Sequence, residues 1–371
     1  METKRWELKE DPEGAIAQAA KLIAAGEVVA FPTETVYGLG ADGLNGAAVT
    51  RIFAAKGRPA DNPLILHIAR TEDILPLTGG LNENAKALMH TFWPGPLTLV
   101  VPKSEQVPDE VTAGLATVAV RMPSHPVAVA LILAAGCPIA APSANLSGKP
   151  SPTNAADVAE DMDGKIAGIL DGGRCGIGVE STVVDTTTPV PTILRPGGIT
   201  REMLEERLGA VEIDPALNGN PALRPKAPGM KYRHYAPQAP LYLYEGAEAA
   251  ERLVEAAARA QKQGFRPGVL CDDATGEKLR GLLRDPGTLQ ILSWGKDTAD
   301  LAEHLYERLR DFDRREPSFI LALGVPEKGL GLAVMNRMRK SAGYRILLAE
   351  KGKVTVKSGS DLPDFLLEGF V

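Results

Sequence analysis

Glu27-Val-Val-Ala-Phe-Pro-Thr-Glu-Thr-Val-Tyr-Gly-Leu-Gly-Ala-Asp-Gly43 decides how the first half of the chain folds. It contains Gly38-x-Gly40-x-x-Gly43, the spacing of a dinucleotide-binding turn, with Asp61 at about the distance of a ribose-binding acid. That turn needs its first glycine directly after a strand. Here the strand expected over Glu27–Phe31 is followed by Pro32–Tyr37, and a loop is expected across Pro32–Gly40. Asp61 also sits in a Pro-rich loop rather than at a strand end. The glycine spacing is thus a weak argument for a dinucleotide, and an all-parallel sheet fits this half poorly.

Outward from that stretch, helices are expected at Ala15–Ala25, Ala47–Lys56, Glu83–Phe92, Pro126–Ala135 and Arg201–Leu208. Strands are expected at Pro63–Ile68, Leu97–Val101, Thr117–Met122, Pro138–Ala141, Ile166–Leu170, Ser181–Val184 and Thr192–Leu194. These strands do not alternate strictly with helices, which favours a mixed, twisted sheet with helices packed on it. The texture changes at Ile213–Pro240, a Pro- and Gly-rich stretch without apolar period that reads as a linker. Beyond it, strands at Leu241–Tyr244, Gly268–Cys271, Thr288–Leu292 and Phe319–Leu323 alternate with helices at Glu248–Lys262, Thr275–Leu283, Ala299–Phe312 and Leu332–Ser341. That alternation predicts a smaller Rossmann-like domain with a parallel sheet.

The 371 residues carry 41 basic and 47 acidic side chains, a net charge of −6, so no global basic field recruits nucleic acid. A module gripping RNA in a basic cavity is an alternative, but no exposed Lys/Arg run interleaved with aromatics supports it. Cys137, Cys175 and Cys271 lie far apart, without a CxxC or Cys/His cluster, so neither a structural zinc nor a disulfide framework is expected. Met1–Glu10 is charged, and no apolar run reaches membrane-spanning length; a cytoplasmic, reduced protein is expected. No P-loop, G-x-S-x-G or H-E-x-x-H is present.

Three constellations can carry chemistry. Lys56-Gly-Arg58-Pro-Ala-Asp-Asn62-Pro63 ends a helix. C-capping explains the Lys and Gly, whereas two cations on a stiff Pro-bracketed turn also suit a phosphate clamp. Thr117-Val-Ala-Val-Arg121 places an arginine on a strand otherwise apolar on its other face; it needs an anion, either a protein carboxylate or a ligand. His67 on the preceding strand is of the kind usually found as a satisfied core group. Ser143-Ala-Asn145-Leu-Ser147-Gly-Lys149-Pro-Ser151 follows an apolar strand. It reads as an ST/Asx turn with a helix N-cap at Thr153 or Asn154, or as a cradle for phosphate oxygens.

Phe31-Pro-Thr-Glu-Thr-Val-Tyr-Gly-Leu-Gly40, Lys56-x-Arg58 and Ser143-x-Asn145 together resemble the Sua5/YrdC/YwlC family, the threonylcarbamoyl-AMP synthases. The likeness continues through Asn62-Pro-Leu-Ile65, Trp93-Pro-Gly-Pro-Leu97, Val120-Arg-Met-Pro123, Val179-Glu-Ser-Thr182 and Leu194-Arg-Pro-Gly197. Pro228–Pro237 and Asn336-Arg-Met-Arg339 resemble the two-domain Sua5 branch.

The resemblance implies an α/β protein. A YrdC-like catalytic domain would occupy 1–212, a linker and lid over the active site 213–239, and the Sua5 C-terminal Rossmann-like domain 240–371. It implies a nucleotidyltransferase that joins L-threonine, bicarbonate and ATP, with Mg²⁺ held mainly by ATP and no protein metal site. The products would be threonylcarbamoyl-AMP and pyrophosphate. A downstream tRNA threonylcarbamoyl-transferase complex would then build t6A at position 37 of tRNAs reading ANN codons. Carried over position by position, Lys56, Arg58, Asn62, Thr117, Ser143, Ser151, Arg195 and Tyr235 would hold ATP. Thr35, His67, Arg121 and Ser181 would hold threonine. Lys56, Arg58, Ser143 and Asn145 would be catalytic. Neither strong direct nucleic-acid binding nor a membrane is implied.

Overall fold

A computed structural model describes residues 2–218, 235–282, 289–359, 363 and 366. The chain divides into two compact units, Met1–Ser147 with Ser151–Tyr232, and Gly148–Pro150 with Arg233–Val371.

The first unit begins with β1 (Lys4–Glu7), α1 (Pro12–Ala24), β2 (Val29–Phe31), β3 (Gly38–Asp42) and α2 (Gly46–Lys56). It continues with β4 (Ile65–His67), α3 (Glu83–Phe92), β5 (Leu97–Pro102), α4 (Asp109–Thr112) and β6 (Thr117–Arg121). Then follow α5 (Pro126–Ala135), β7 (Ile139–Ala140), α6 (Ala155–Met162), β8 (Gly168–Asp171) and β9 (Thr182–Asp185). β10 (Thr192–Arg195), α7 (Arg201–Leu208) and β11 (Glu212–Ile213) end it. The strands form one sheet in the order β1-β8-β2-β3-β7-β4-β6-β5-β9-β10-β11. Pairings are mixed: β4 and β6 run parallel, while β2 and β3, and β5 and β6, run antiparallel. The mixed sheet expected from the irregular strand pattern is present.

Pro32–Gly40 is not wholly a loop, because Gly38–Asp42 is a strand hydrogen-bonded to β2. Two glycines weaken strand propensity and hid it. Close packing is why one of them is needed. A Cβ on Gly40 would meet Ile139 Cγ2 and Phe31 Cε1, each at 2.7 Å. The same fact disposes of the dinucleotide motif, since its first two glycines lie inside a strand rather than on a turn into a helix. α6 was signalled only by its cap: Asn154 accepts a hydrogen bond from the Asp157 amide, 2.9 Å away.

Alternation along the central strands sorts side chains to two faces. Leu66, Ile68, Leu99, Val101, Val118 and Val120 enter the main core beside Val49, Ile52 and Phe53 of α2. α1 and α5 pack against Val29, Phe31 and Leu170 in a second cluster. Ile65, Val100, Ala119, Val183 and Leu194 form a small separate cluster. Its members share a sheet face with His67, Thr98 and Arg121, because Ile65 pairs with Ala119, Val100 with Ala119, and Thr98 with Arg121. An apolar floor thus ends in polar groups.

In the second unit, β12 (Leu241–Glu245), β13 (Gly268–Cys271), β14 (Gln290–Ser293), β15 (Ile320–Leu323), β16 (Ile346–Glu350) and β17 (Lys353–Ser358) form a sheet. Its order is β14-β13-β15-β12-β16-β17. The helices are α8 (Ala249–Lys262), α9 (Asp273–Leu282), α10 (Thr298–Arg315) and α11 (Gly331–Ser341). β12 to β15 pair in parallel, as the alternation predicts, whereas the sequence reading omitted both the parallel β16 and the antiparallel β17 beside it. Lys351 and Gly352 turn the β16–β17 hairpin at φ of 52° and 74°, the positive values a tight two-residue turn requires.

Gly40→Val forces a branched side chain into the gap against Phe31 and Ile139. A cost of about 1–3 kcal/mol is expected, or roughly 2–12 °C in the Tm of the first unit, by calorimetry. An unchanged transition would contradict the packing described.

Candidate active site

The turn between β2 and β3 is closed by its own hydroxyls. Thr33 Oγ1 donates to Val36 O at 2.7 Å and accepts from the Thr35 amide at 3.1 Å. This presents Thr35 Oγ1 to Arg121, whose Nη1 donates to it at 3.0 Å. Arg121 is only 4% exposed, so its charge requires partners. Nε donates to Gly95 O at 3.3 Å, and Nη2 lies 2.7 Å from Glu34 Oε1. The protein carboxylate considered for this arginine is therefore Glu34, from the turn itself.

His67 stands beside Arg121 because β4 and β6 pair in register at these two residues. Its Nδ1 is 3.2 Å from Ile65 O, and its ring meets Phe31 edge-on with centroids 6.3 Å apart. Burial, with the Arg121 charge adding to it, pushes its pKa down to about 3, so the ring is neutral at physiological pH. On the other side, Thr98 is in register with Arg121, and its Oγ1 is 2.7 Å from Ser181 Oγ. Arg195 reaches the same serine, through Nη2 to its Oγ and Nε to its carbonyl, both at 3.0 Å. Gly197 lets that segment close up: a Cβ there would lie 2.3 Å from both Glu180 O and Thr182 N. Thr35, Arg121, His67, Ser181 and Arg195 therefore form one continuous polar rim on the apolar floor. Thr117 starts β6 on the same face, four residues from Arg121. Ser151 Oγ donates to Glu180 Oε1 at 2.7 Å, next to Ser181.

A second group converges on the Ser143–Asn145 loop. Lys56, the last residue of α2 and 3% exposed, donates through Nζ to the carbonyls of Ser143 and Asn145, both at 2.6 Å. Ser143 Oγ donates to Asn145 Oδ1 at 2.5 Å, and Asn145 Nδ2 donates to Leu146 O at 2.9 Å. The Leu146 amide is fixed by Asp161 Oδ2 of α6 at 3.1 Å. The Ala144 amide bonds Tyr37 O at 2.8 Å, which ties this loop to the end of the β2–β3 turn. Lys56 thus does more than cap a helix: its ammonium holds the loop's curvature.

Arg58 Nη2 donates to Asn62 O at 3.0 Å and Pro63 O at 3.2 Å, with the guanidinium 5.9 Å over the Phe53 ring. This closes the Pro-bracketed turn. Asn62 is fully buried, yet neither Oδ1 nor Nδ2 has a hydrogen-bond partner among the described residues. A buried amide with both ends open is costly and suits a ligand supplying a donor and an acceptor.

Tyr235 lies in the second unit, with φ of 64° and its ring stacked on Tyr306 at 5.1 Å. His234 and most of the linker fall outside the described residues. Sequence reasoning missed Glu34, Thr98, Glu180 and Asp161. Glu34 and Glu180 were visible inside the quoted Pro-Thr-Glu-Thr and Val179-Glu-Ser-Thr182 runs, whereas Thr98 and Asp161 depend on strand register and a distant helix. Among the described residues, no group of three or more His, Cys, Asp or Glu could hold a metal ion, and no helix is long and apolar enough to cross a membrane.

Two family profiles match the chain: one described as "Telomere recombination" over residues 21–197, the other as "Threonylcarbamoyl-AMP synthase, C-terminal domain" over residues 199–343. A threonylcarbamoyl-AMP synthase of Bacillus subtilis is 51% identical over 357 residues, covering 94% of this chain and 100% of the relative. One from Pyrococcus abyssi is 51% identical over 337 residues, covering 90% and 96%. The crystal structure of P. abyssi Sua5 complexed with L-threonine superposes with a TM-score of 0.88 at 49% identity, covering 94% of this chain and all of the other.

His67 carries the pH prediction of this site. The folded ring takes its proton only near pH 3, whereas an unfolded histidine takes it near 6.5, so acid favours unfolding and stability falls as pH drops across that window. In imidazole NMR spectra the His67 signals should stay fixed from about pH 5 to about pH 8. A midpoint near the ordinary histidine value would contradict the burial.

Proposed function

Since the chain belongs to the threonylcarbamoyl-AMP synthase family, we propose that the rim and loop of its first unit perform that synthesis with the roles below. The enzyme condenses L-threonine, bicarbonate and ATP into threonylcarbamoyl-AMP and pyrophosphate. The threonine amine and bicarbonate give a carbamate and water. A carbamate oxygen then forms a bond to the α-phosphorus as the bond to the β-phosphate oxygen breaks, and pyrophosphate leaves.

The observation that supports this assignment of roles is the burial of Lys56, Arg121 and Arg195, each 6% exposed or less, in a chain whose net charge is −6. Cations are withdrawn from water in this way where anions are to be met. Arg121, with Thr35, neutral His67 and Ser181, seats threonine, the guanidinium taking its carboxylate. Lys56, Arg58, Asn62, Ser143, Ser151 and Arg195 line the triphosphate, with Thr117 beside them; the family likeness adds Tyr235. Arg195 and Ser181 touch, so the amino acid and nucleotide portions meet there. Such a reaction needs no covalent nucleophile: positioning and charge neutralisation lower its barrier. Asn145 orients Ser143 and closes the loop around the Lys56 ammonium.

Mg²⁺ neutralises phosphate charge in such transfers. The Ser143 and Ser151 hydroxyls and the Asn62 amide oxygen are hard donors compatible with it, and the ion would arrive chiefly on ATP phosphates and water. The mixed anhydride product is water-labile, and a downstream transferase complex consumes it to modify tRNA in the cytoplasm.

Incubation of the full chain with ATP, labelled bicarbonate and each amino acid in turn tests the reading. A labelled adenylate that requires threonine is expected. Arg58→Ala should lower its rate about 10²–10³-fold while the protein stays folded. An adenylate independent of threonine, or an Arg58→Ala variant at full rate, would overturn these roles.

A further inference from the structure

Glu34 faces into the rim from between the two threonines of the β2–β3 turn. It lies 2.7 Å from Arg121, with 14% of its side chain exposed. Burial alone raises its pKa, but the charge of Arg121 and direct contact with it prevail, so the carboxyl is held below its ordinary range. His67, His125 and Cys175 also feel its field. Burial holds both imidazoles below their ordinary pKa and pushes the Cys175 thiol up to about 12, so neither imidazole nor thiol opposes or supplements the Arg121 charge at neutral pH.

Both members of the pair keep capacity for a further partner. Glu34 Oε2 is buried and has no hydrogen-bond partner among the described residues. Arg121 directs Nε to Gly95 and one Nη1 hydrogen to Thr35, while Nη2 lies at ion-pair distance from Glu34 without a hydrogen bond, and a guanidinium has five N–H groups. An isolated buried ion pair adds little stability, because desolvation consumes the attraction. An anion and a cation side by side, each open on one side, are instead the complement of a zwitterion. An α-amino acid carries its carboxylate and ammonium one carbon apart. Its carboxylate on Arg121 leaves its ammonium to meet Glu34, and the four charges alternate in sign. A carboxylate arriving without an ammonium would lie beside Glu34 as a like charge.

We propose that Glu34 recognises the substrate ammonium and thereby selects α-amino acids over simple hydroxy acids; the proposal rests on Arg121 being the carboxylate anchor. Glu34 acts in this as a binding group for the ammonium of the arriving amino acid.

Calorimetric titration of the full chain with L-threonine and with 3-hydroxybutanoate tests this, since the second compound keeps the hydroxyl and carboxylate but lacks the amine. Glu34→Gln should weaken threonine binding by about tenfold or more and strengthen 3-hydroxybutanoate binding. Weakening of both ligands indicates a merely structural role, and strengthening of both indicates a resident competitor; either overturns the proposal. Glu34→Asp, which keeps the charge if Glu34→Gln fails to fold, should retain the preference for threonine, and its loss counts equally against the assignment. Arg121→Gln separates the two levels. If it leaves threonine binding intact, the anchor reading fails and the Glu34 proposal with it. If it abolishes binding while Glu34→Gln changes neither ligand, the Glu34 proposal alone fails.

Discussion

A guanidinium removed from water must be answered on every side, and Arg121 organises the first unit through that requirement. A carbonyl from Gly95, a hydroxyl from Thr35 and a carboxylate from Glu34 converge on it from two separate segments. Its strand sets the positions of His67 and Thr98 by register, and Thr98 passes the order on to Ser181 and Arg195. The β2–β3 turn has its shape because Thr33 ties it internally while Arg121 holds it from outside. Charge burial here fixes the positions of several polar groups at once, at little net gain in stability.

The second organising contact is the Lys56 ammonium, fixed between two carbonyls of the Ser143–Asn145 loop. A helix terminus, a loop and the end of a turn are joined there, because Tyr37 also bonds that loop. Lys56 is held by two neutral carbonyl oxygens, whereas Arg121 is held by neutral oxygens and a carboxylate. The apolar floor of Ile65, Val100, Ala119 and Val183 lowers the local dielectric and strengthens every such encounter. From sequence to chemistry, the sequence of causes runs through alternation: one face of β4, β5 and β6 feeds the core, and the other offers the rim.

Much of this was legible in the residues alone. Helices with clear stop and start signals, such as Glu83–Phe92 and Pro126–Ala135, emerge with the expected bounds. The mixed character of the first sheet and the parallel character of the second also follow from strand spacing. Gly38–Asp42 was hidden because its glycines serve close packing against Phe31 and Ile139, which no local propensity encodes. β16 was also missed, and β17 was hidden because it buries a single residue, Val354, between exposed Lys353 and Lys357 at the sheet edge. Among the site residues, Arg121 announced itself as a charge on an apolar strand. Glu34 did not, because a glutamate in a loop is ordinarily solvated, and its role depends on a strand nearly ninety residues away. Asp161 acts through the Leu146 amide from a distant helix and leaves no local pattern.

Diffraction from crystals of the full chain grown with L-threonine and a non-hydrolysable ATP analogue addresses the central claim most directly. The account predicts the amino acid carboxylate on the free Nη hydrogens of Arg121, and the triphosphate against Arg58, Asn62 and the Ser143 loop. Threonine bound elsewhere, with Arg121 still engaged only by its three protein partners, would contradict it.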